Sequence, residues 1–198
     1  MSEKKTKVKT ASNAAAAAST FSTLNMVMIA LFTAILCVLG PMSIPIGPVP
    51  LSLATFVIYF SLFFLGWKNG MLSCLIYLFI GFIGVPVFTG FSSGIGKLAG
   101  PTGGYLIGYI FLALVAGIFI EKFEKSVVLC FAGMILGTAV LYTFGTAWFC
   151  ISTGNSIAAA LSICVFPFII GDCIKMAVAA FVAPTAIKQL KKRQIPVN

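Results

Sequence analysis

Apolar residues fall along this chain in six long runs, residues 24–39, 51–65, 71–85, 103–120, 127–151 and 157–187. Each break between them holds glycine, proline or charge. A helix that crosses a bilayer needs about 20 apolar residues, and runs near that length with little or no internal charge predict membrane spans rather than core strands. The pattern therefore predicts an all-α integral membrane protein of six transmembrane helices. The last run would rise about 46 Å as one helix; Pro167 predicts a kink in it, and Pro184 stands near its end. Between the first two runs, Pro41-Met-Ser-Ile-Pro-Ile-Gly-Pro-Val-Pro50 carries four prolines and no charge, which forbids a helix there.

Composition sharpens this picture. The chain is 60% hydrophobic and 9% charged, with a mean hydropathy of +1.11, whereas a soluble domain is about a quarter charged. No polar block is long enough for a second domain. The expected division is a cytoplasmic arm over residues 1–20, a six-helix membrane domain over 21–190 and a basic tail over 191–198. The basic start precedes a run of membrane-span length without a small-x-small cleavage site, which argues against a secretory signal.

The net charge of +9 does not mark a nucleic-acid binder, because the charges sit at the ends and in loops. Lys4, Lys5, Lys7, Lys9, Lys68, Lys122, Lys125, Lys188, Lys191, Lys192 and Arg193 share one side of a six-helix topology, leaving only Lys97 and Lys175. The positive-inside rule then puts both termini in the cytoplasm of a multi-pass protein of the cell membrane. The proline loop, the glycine-rich segment after residue 90 and Ser152–Ser156 would face outside.

Candidate chemistry is sparse. The six cysteines lie in apolar runs without CxxC spacing, and histidine is absent, so neither metal nor cofactor is expected. Asp172 and Lys175 stand three residues apart on one helix face, and an ion pair at membrane depth points to function. The glycine-rich segment Gly94-Ile-Gly-Lys-Leu-Ala-Gly-Pro-Thr-Gly-Gly-Tyr105 supplies Lys97, backbone donors around Gly100, Pro101, Gly103 and Gly104, and Thr102 as a cap for the helix that follows. Lysine beside a helix N-terminus suits a carboxylate. Among the aromatics, Tyr105 and Tyr142 have polar surroundings. The P-loop spacing fails, since Phe91 stands where the first glycine belongs and Leu98 follows Lys97; the chain should not hydrolyse ATP. With no histidine and one buried carboxylate, a membrane-embedded enzyme is the weaker alternative. A channel would need polar rings that this chain lacks. Ala30 and Ala34 form a small-xxx-small pair that lets another helix approach closely, whether of this chain or of a partner.

Several stretches resemble the BioY family: Gly100-Pro-Thr-Gly-Gly-Tyr105 with Gly108-Tyr109, Gly47-Pro-Val-Pro50, Gly81-x-x-Gly84-x-Pro86-Val-Phe88, and Pro167-Phe-x-x-Gly-Asp172-x-x-Lys175. The likeness runs over roughly residues 24–190. It implies six helices and an outward-facing biotin pocket, in the substrate-binding S component of an energy-coupling factor (ECF) transporter. It also implies a transmembrane coupling protein and two ABC ATPases as partners, with Ala30 and Ala34 at the docking face. Biotin's ureido ring offers two N–H donors and an acceptor, and its tail a carboxylate. Asp172 would accept from the ureido N–H groups, with Lys175 donating to the ring oxygen or balancing the aspartate. Lys97 and the Gly100–Gly104 backbone would hold the carboxylate; the reversed placement is the alternative. Another vitamin, thiamine or riboflavin, is the nearest competing ligand. One departure stands out: many relatives continue the proline loop as Pro-Leu-Thr-Leu-Gln-Thr, where this chain has Pro50-Leu-Ser-Leu-Ala-Thr55, so Ala54 supplies no amide.

Overall fold

A computed structural model of the 198-residue chain describes residues 23–44, 49–123 and 126–192. The N-terminal arm, the tail beyond residue 192 and the tip of the proline loop lie outside these residues. The described chain is almost all helical: α1 Thr23–Leu39, α2 Ala54–Phe82, α3 Gly94–Ala99, α4 Gly103–Lys122, α5 Val127–Thr153, α6 Ile157–Cys164 and α7 Phe166–Lys192. The flanks of the proline loop pair as two short antiparallel strands, β1 Ser43–Ile44 and β2 Leu51–Ser52, where the sequence pattern predicts no strand. Extended backbone ahead of proline suits this pairing.

Gly66 splits α2. Its φ of 72° and ψ of 176° leave helical geometry, and a positive φ with no Cβ penalty is what glycine permits. Across this one residue the chain reverses. A Cβ built on Gly70 would stand 3.5 Å from the Cα of Leu62, whereas eight residues along a straight helix separate by about 12 Å. The two arms, residues 54–65 and 67–82, therefore fold back on each other, close to the two runs the pattern predicts.

The last run also divides, but not as a kink at Pro167. Val165 (φ −124°, ψ −59°) ends α6, and Pro167 becomes the second residue of α7. Proline is at ease in a first turn, where its missing N–H would be unpaired. Pro184 sits inside α7, which continues to Lys192. In the glycine-rich segment the expected loop contains α3, which carries Lys97.

Taken by length and composition, α4, α5, α7 and the whole of α2 are long and apolar enough to cross a membrane, although α2 reaches that length only across its reversal at Gly66, and α1 is a shorter apolar helix. Large apolar side chains such as Phe79, Val128, Ile151, Ile170 and Phe181 are exposed on their outer faces, as a lipid-facing surface requires. Inside, α4 packs on α5 and on both arms of α2, while α7 lies against α2 and α5. Interior hydroxyls find partners: Tyr59 and Thr138 meet at 2.6 Å, Thr33 and Ser73 at 3.0 Å. Among the described residues no fully buried side-chain nitrogen or oxygen lacks a hydrogen bond. The Trp67 N–H donates to Glu121 at 3.3 Å and ties the Gly66 reversal to the end of α4. This end of the bundle carries Lys68, Lys122, Lys188 and Lys192; the first turns of α2, α4 and α7 gather at the other.

Candidate functional site

At that second end lies a cavity. Its walls are Val49 to Ser52 and Thr55 from β2 and the start of α2, Thr89, and Thr102, Tyr105, Leu106 and Tyr109 from the start of α4. Leu141 and Tyr142 of α5, Cys164 of α6, and Phe168, Asp172 and Lys175 of α7 complete it. Helical spacing explains the composition. Thr102, Tyr105 and Tyr109 recur at three and four residues along one face of α4, as do Phe168, Asp172 and Lys175 along α7. About 50 Å³ of the cavity accepts the centre of a water molecule, room for roughly four waters at 10–15 Å³ each.

The charges are fully engaged. Lys175 Nζ donates to Asp172 Oδ1 at 2.9 Å, to the Ser52 carbonyl at 2.6 Å and to Thr55 Oγ1 at 3.3 Å. An ammonium has three protons, so every one is used within the protein. The lysine thus serves as the aspartate's counter-charge and pins the β2–α2 junction to α7. That junction is itself fixed: Ser52 Oγ accepts from the Ala54 N–H and donates to the Gly40 carbonyl, both at 3.0 Å. Asp172 Oδ2 accepts from the Tyr142 hydroxyl at 2.5 Å. A carboxylate has about four lone-pair sites; two are occupied, and two have no protein donor among the described residues.

Of the residues predicted from sequence, the cavity brings together Thr102, Tyr105, Tyr142, Asp172 and Lys175, and not Lys97, Gly100, Pro101, Gly103 or Gly104. Lys97 sits half-buried on α3. The glycines serve packing. A Cβ on Gly104 would overlap Trp148, and one on Gly103 the Leu98 carbonyl. The Gly100 carbonyl accepts from Trp148 Nε1 at 3.0 Å and from the Gly103 N–H at 2.9 Å. Thr102 stands at the start of α4, yet its side chain makes no capping bond there and instead lines the cavity. Ala54 is fully buried outside the lining. Sequence reasoning missed Ser52, Thr55, Thr89, Cys164 and Phe168. Phe168, four residues before Asp172 on the same face, carried a usable signal, as did Tyr109, four after Tyr105.

A helical bundle with an apolar outer surface and, among the described residues, one buried ion pair beside a cavity has the architecture of a membrane protein with an internal polar site. Among solved structures, the fold is similar to a crystal structure of the S component for biotin from an ECF-type ABC transporter. The TM-score is 0.78 at 29% identity, covering 84% of this chain and 92% of that one. Residues 8–192 match the BioY family, and the chain belongs to that family. It is 38% identical over 165 residues to the biotin transporter BioY of Thermotoga maritima, covering 83% of this chain and 94% of the relative. It is likewise 38% identical over 156 residues to a probable biotin transporter BioY of Pyrococcus horikoshii, covering 79% and 91%.

Proposed function

We propose that this chain is the biotin-binding S component of an ECF-type transporter, not an enzyme, and that its ligand sits in the cavity against Asp172. The family and the relatives named above support biotin as the substrate. The observation that carries the site is the engagement of Asp172: neutralised by Lys175, oriented by Tyr142, and left with room for two more donors. A ureido group presents two N–H donors to one carboxylate. A ligand carboxylate placed there would bring only acceptors to an aspartate that needs donors, and Lys175 has no proton left to offer it. We therefore place the ureido end at Asp172 and the tail carboxylate toward the hydroxyls of Thr89 and Thr102. A cationic ligand such as thiamine gains little from an aspartate already paired.

Six crossings with both termini in the cytoplasm fit the reversal at Gly66 and the clustering of Lys68, Lys122, Lys188 and Lys192 opposite the cavity. In the cell membrane the cavity would then take biotin from outside. A coupling protein and ATPases supply the energy for its release inside. The test is a calorimetric titration of the purified chain, without partners, against biotin, thiamine and riboflavin. Saturable binding of one biotin per chain supports the reading; preference for another vitamin overturns it.

A further inference from the structure

At the basic end of the bundle, away from the cavity at Asp172, the reversal at Gly66 brings Trp67 against the last turns of α4. Gly117 makes room for it: a Cβ there would stand 2.7 Å from the Cβ of Trp67 and 2.9 Å from its Cα. Trp67, Ile118, Glu121 and Lys122 then line a surface pocket of about 250 Å³. Its apolar side continues along α4. Phe111 and Ile118, seven residues apart and so on one helix face, are 39% and 42% exposed. They make a track for an acyl chain toward the middle of the bilayer.

The polar groups of this pocket are mostly unused. Among the described residues, Glu121 accepts only the main-chain N–H of Trp67, on Oε2 at 3.3 Å. Neither the Trp67 indole N–H nor the Lys122 ammonium has a hydrogen-bond partner there. Lys122 Nζ lies 5.7 Å from the Phe123 ring, and Lys68 Nζ 5.5 Å from that of Trp67. A tryptophan beside lysines at the end of a span marks the membrane–water interface, so phospholipid headgroups meet this pocket. Its charges sort them. Lys122, Lys68 and the indole N–H suit a phosphate. The Glu121 carboxylate stands at the C-terminal end of α4, where the helix carbonyls add partial negative charge, and suits a cation with protons to donate. Phosphatidylethanolamine carries both groups. Phosphatidylglycerol brings no cation to Glu121, and the choline of phosphatidylcholine brings a cation without a proton to donate.

We propose that this pocket binds the headgroup of phosphatidylethanolamine, with its ammonium on Glu121 and its phosphate on Lys122 and the Trp67 indole. One acyl chain then runs along Ile118 and Phe111. The site lies at the opposite end of the bundle from Asp172, and it stands whether or not the chain is an S component.

The test is native mass spectrometry of the detergent-purified chain, with phosphatidylethanolamine, phosphatidylglycerol and phosphatidylcholine of identical acyl chains in competition. Phosphatidylethanolamine should be retained about threefold or more over each competitor, within the range of a partly exposed ion pair. Glu121→Gln keeps an acceptor for the Trp67 N–H, so the fold is spared while the preference over phosphatidylglycerol should vanish. The same variant should hold biotin affinity within about twofold of wild type, because distant sites act independently. Lys122→Met removes a cation from the phosphate and should weaken all three lipids alike. Equal retention of the three lipids by the wild type, or tighter phosphatidylglycerol, overturns the proposal. So does a preference that survives Glu121→Gln, or retention unmoved by Lys122→Met. Failure of the wild-type chain to bind biotin would count against the proposed function instead and leave the lipid result untouched.

Discussion

Replacing Asp172 with asparagine changes one oxygen to an NH2 and removes the charge, with little change in volume. In the native cavity the carboxylate takes Lys175 on Oδ1 at 2.9 Å and Tyr142 on Oδ2 at 2.5 Å, leaving two lone pairs for the ligand. Asparagine keeps one acceptor oxygen, which Lys175 or Tyr142 will claim, and turns its NH2 toward the other donors. At least one ureido N–H then loses a bond to a charged acceptor, worth about 1.5–3 kcal/mol. That corresponds to roughly ten- to hundredfold weaker binding at 1.4 kcal/mol per decade. The variant also leaves Lys175 buried without its counter-charge, at a cost of about 3–5 kcal/mol, so its melting temperature should fall even though the lysine keeps the Ser52 carbonyl and Thr55 as acceptors. Calorimetry on the detergent-purified variant, with a melting curve taken without ligand, measures both effects. A variant that melts as a folded protein yet binds biotin within twofold of wild type would remove Asp172 from the site.

Three further substitutions probe the surroundings. Lys97→Ala should alter biotin affinity by less than about threefold, because Lys97 does not line the cavity; a tenfold loss would return it to the site. Lys175→Met removes one member of a buried pair, at a cost of about 3–5 kcal/mol, so both thermal stability and binding should fall, and an unchanged melting temperature would refute the clamp. Gly145→Ala adds a methyl that overlaps the ring of Tyr105, whose hydroxyl meets Thr146 at 3.1 Å. Overpacking of this kind costs about 1–3 kcal/mol; melting and affinity should drop together, and a variant that keeps both would show that the ring can move aside freely.

The helices were legible because lipid imposes its demand on every turn of a span, and a run of apolar residues records it directly. Asp172, Lys175 and Tyr142 were legible for the opposite reason, since each is costly at membrane depth without a partner. What was hidden depends on contacts distant in sequence. A glycine beside a ligand and a glycine beside a ring look the same in one dimension; only the packing of α4 on α5 shows that Gly104 makes room for Trp148 and Gly145 for Tyr105. Ser52 and Thr55 are small hydroxyl residues at the edge of an apolar run. Nothing local reveals that Lys175, more than a hundred residues later, needs them as acceptors. Cys164, at the end of α6, and Phe168, at the start of α7, read as lipid or core residues; only the break between these helices at Val165 shows that both line the cavity.

The contact between Asp172 and the ureido group can be isolated by a cycle that changes each partner alone and then both. Biotin and an analogue methylated on its ureido nitrogens would be titrated into wild-type protein and into Asp172→Asn. A shared contact makes the two losses overlap, so the methyl groups should cost about tenfold or more in wild type and far less once the carboxylate is gone. If the two penalties simply add, the ureido end lies elsewhere, and the placement of the ligand against Asp172 is wrong.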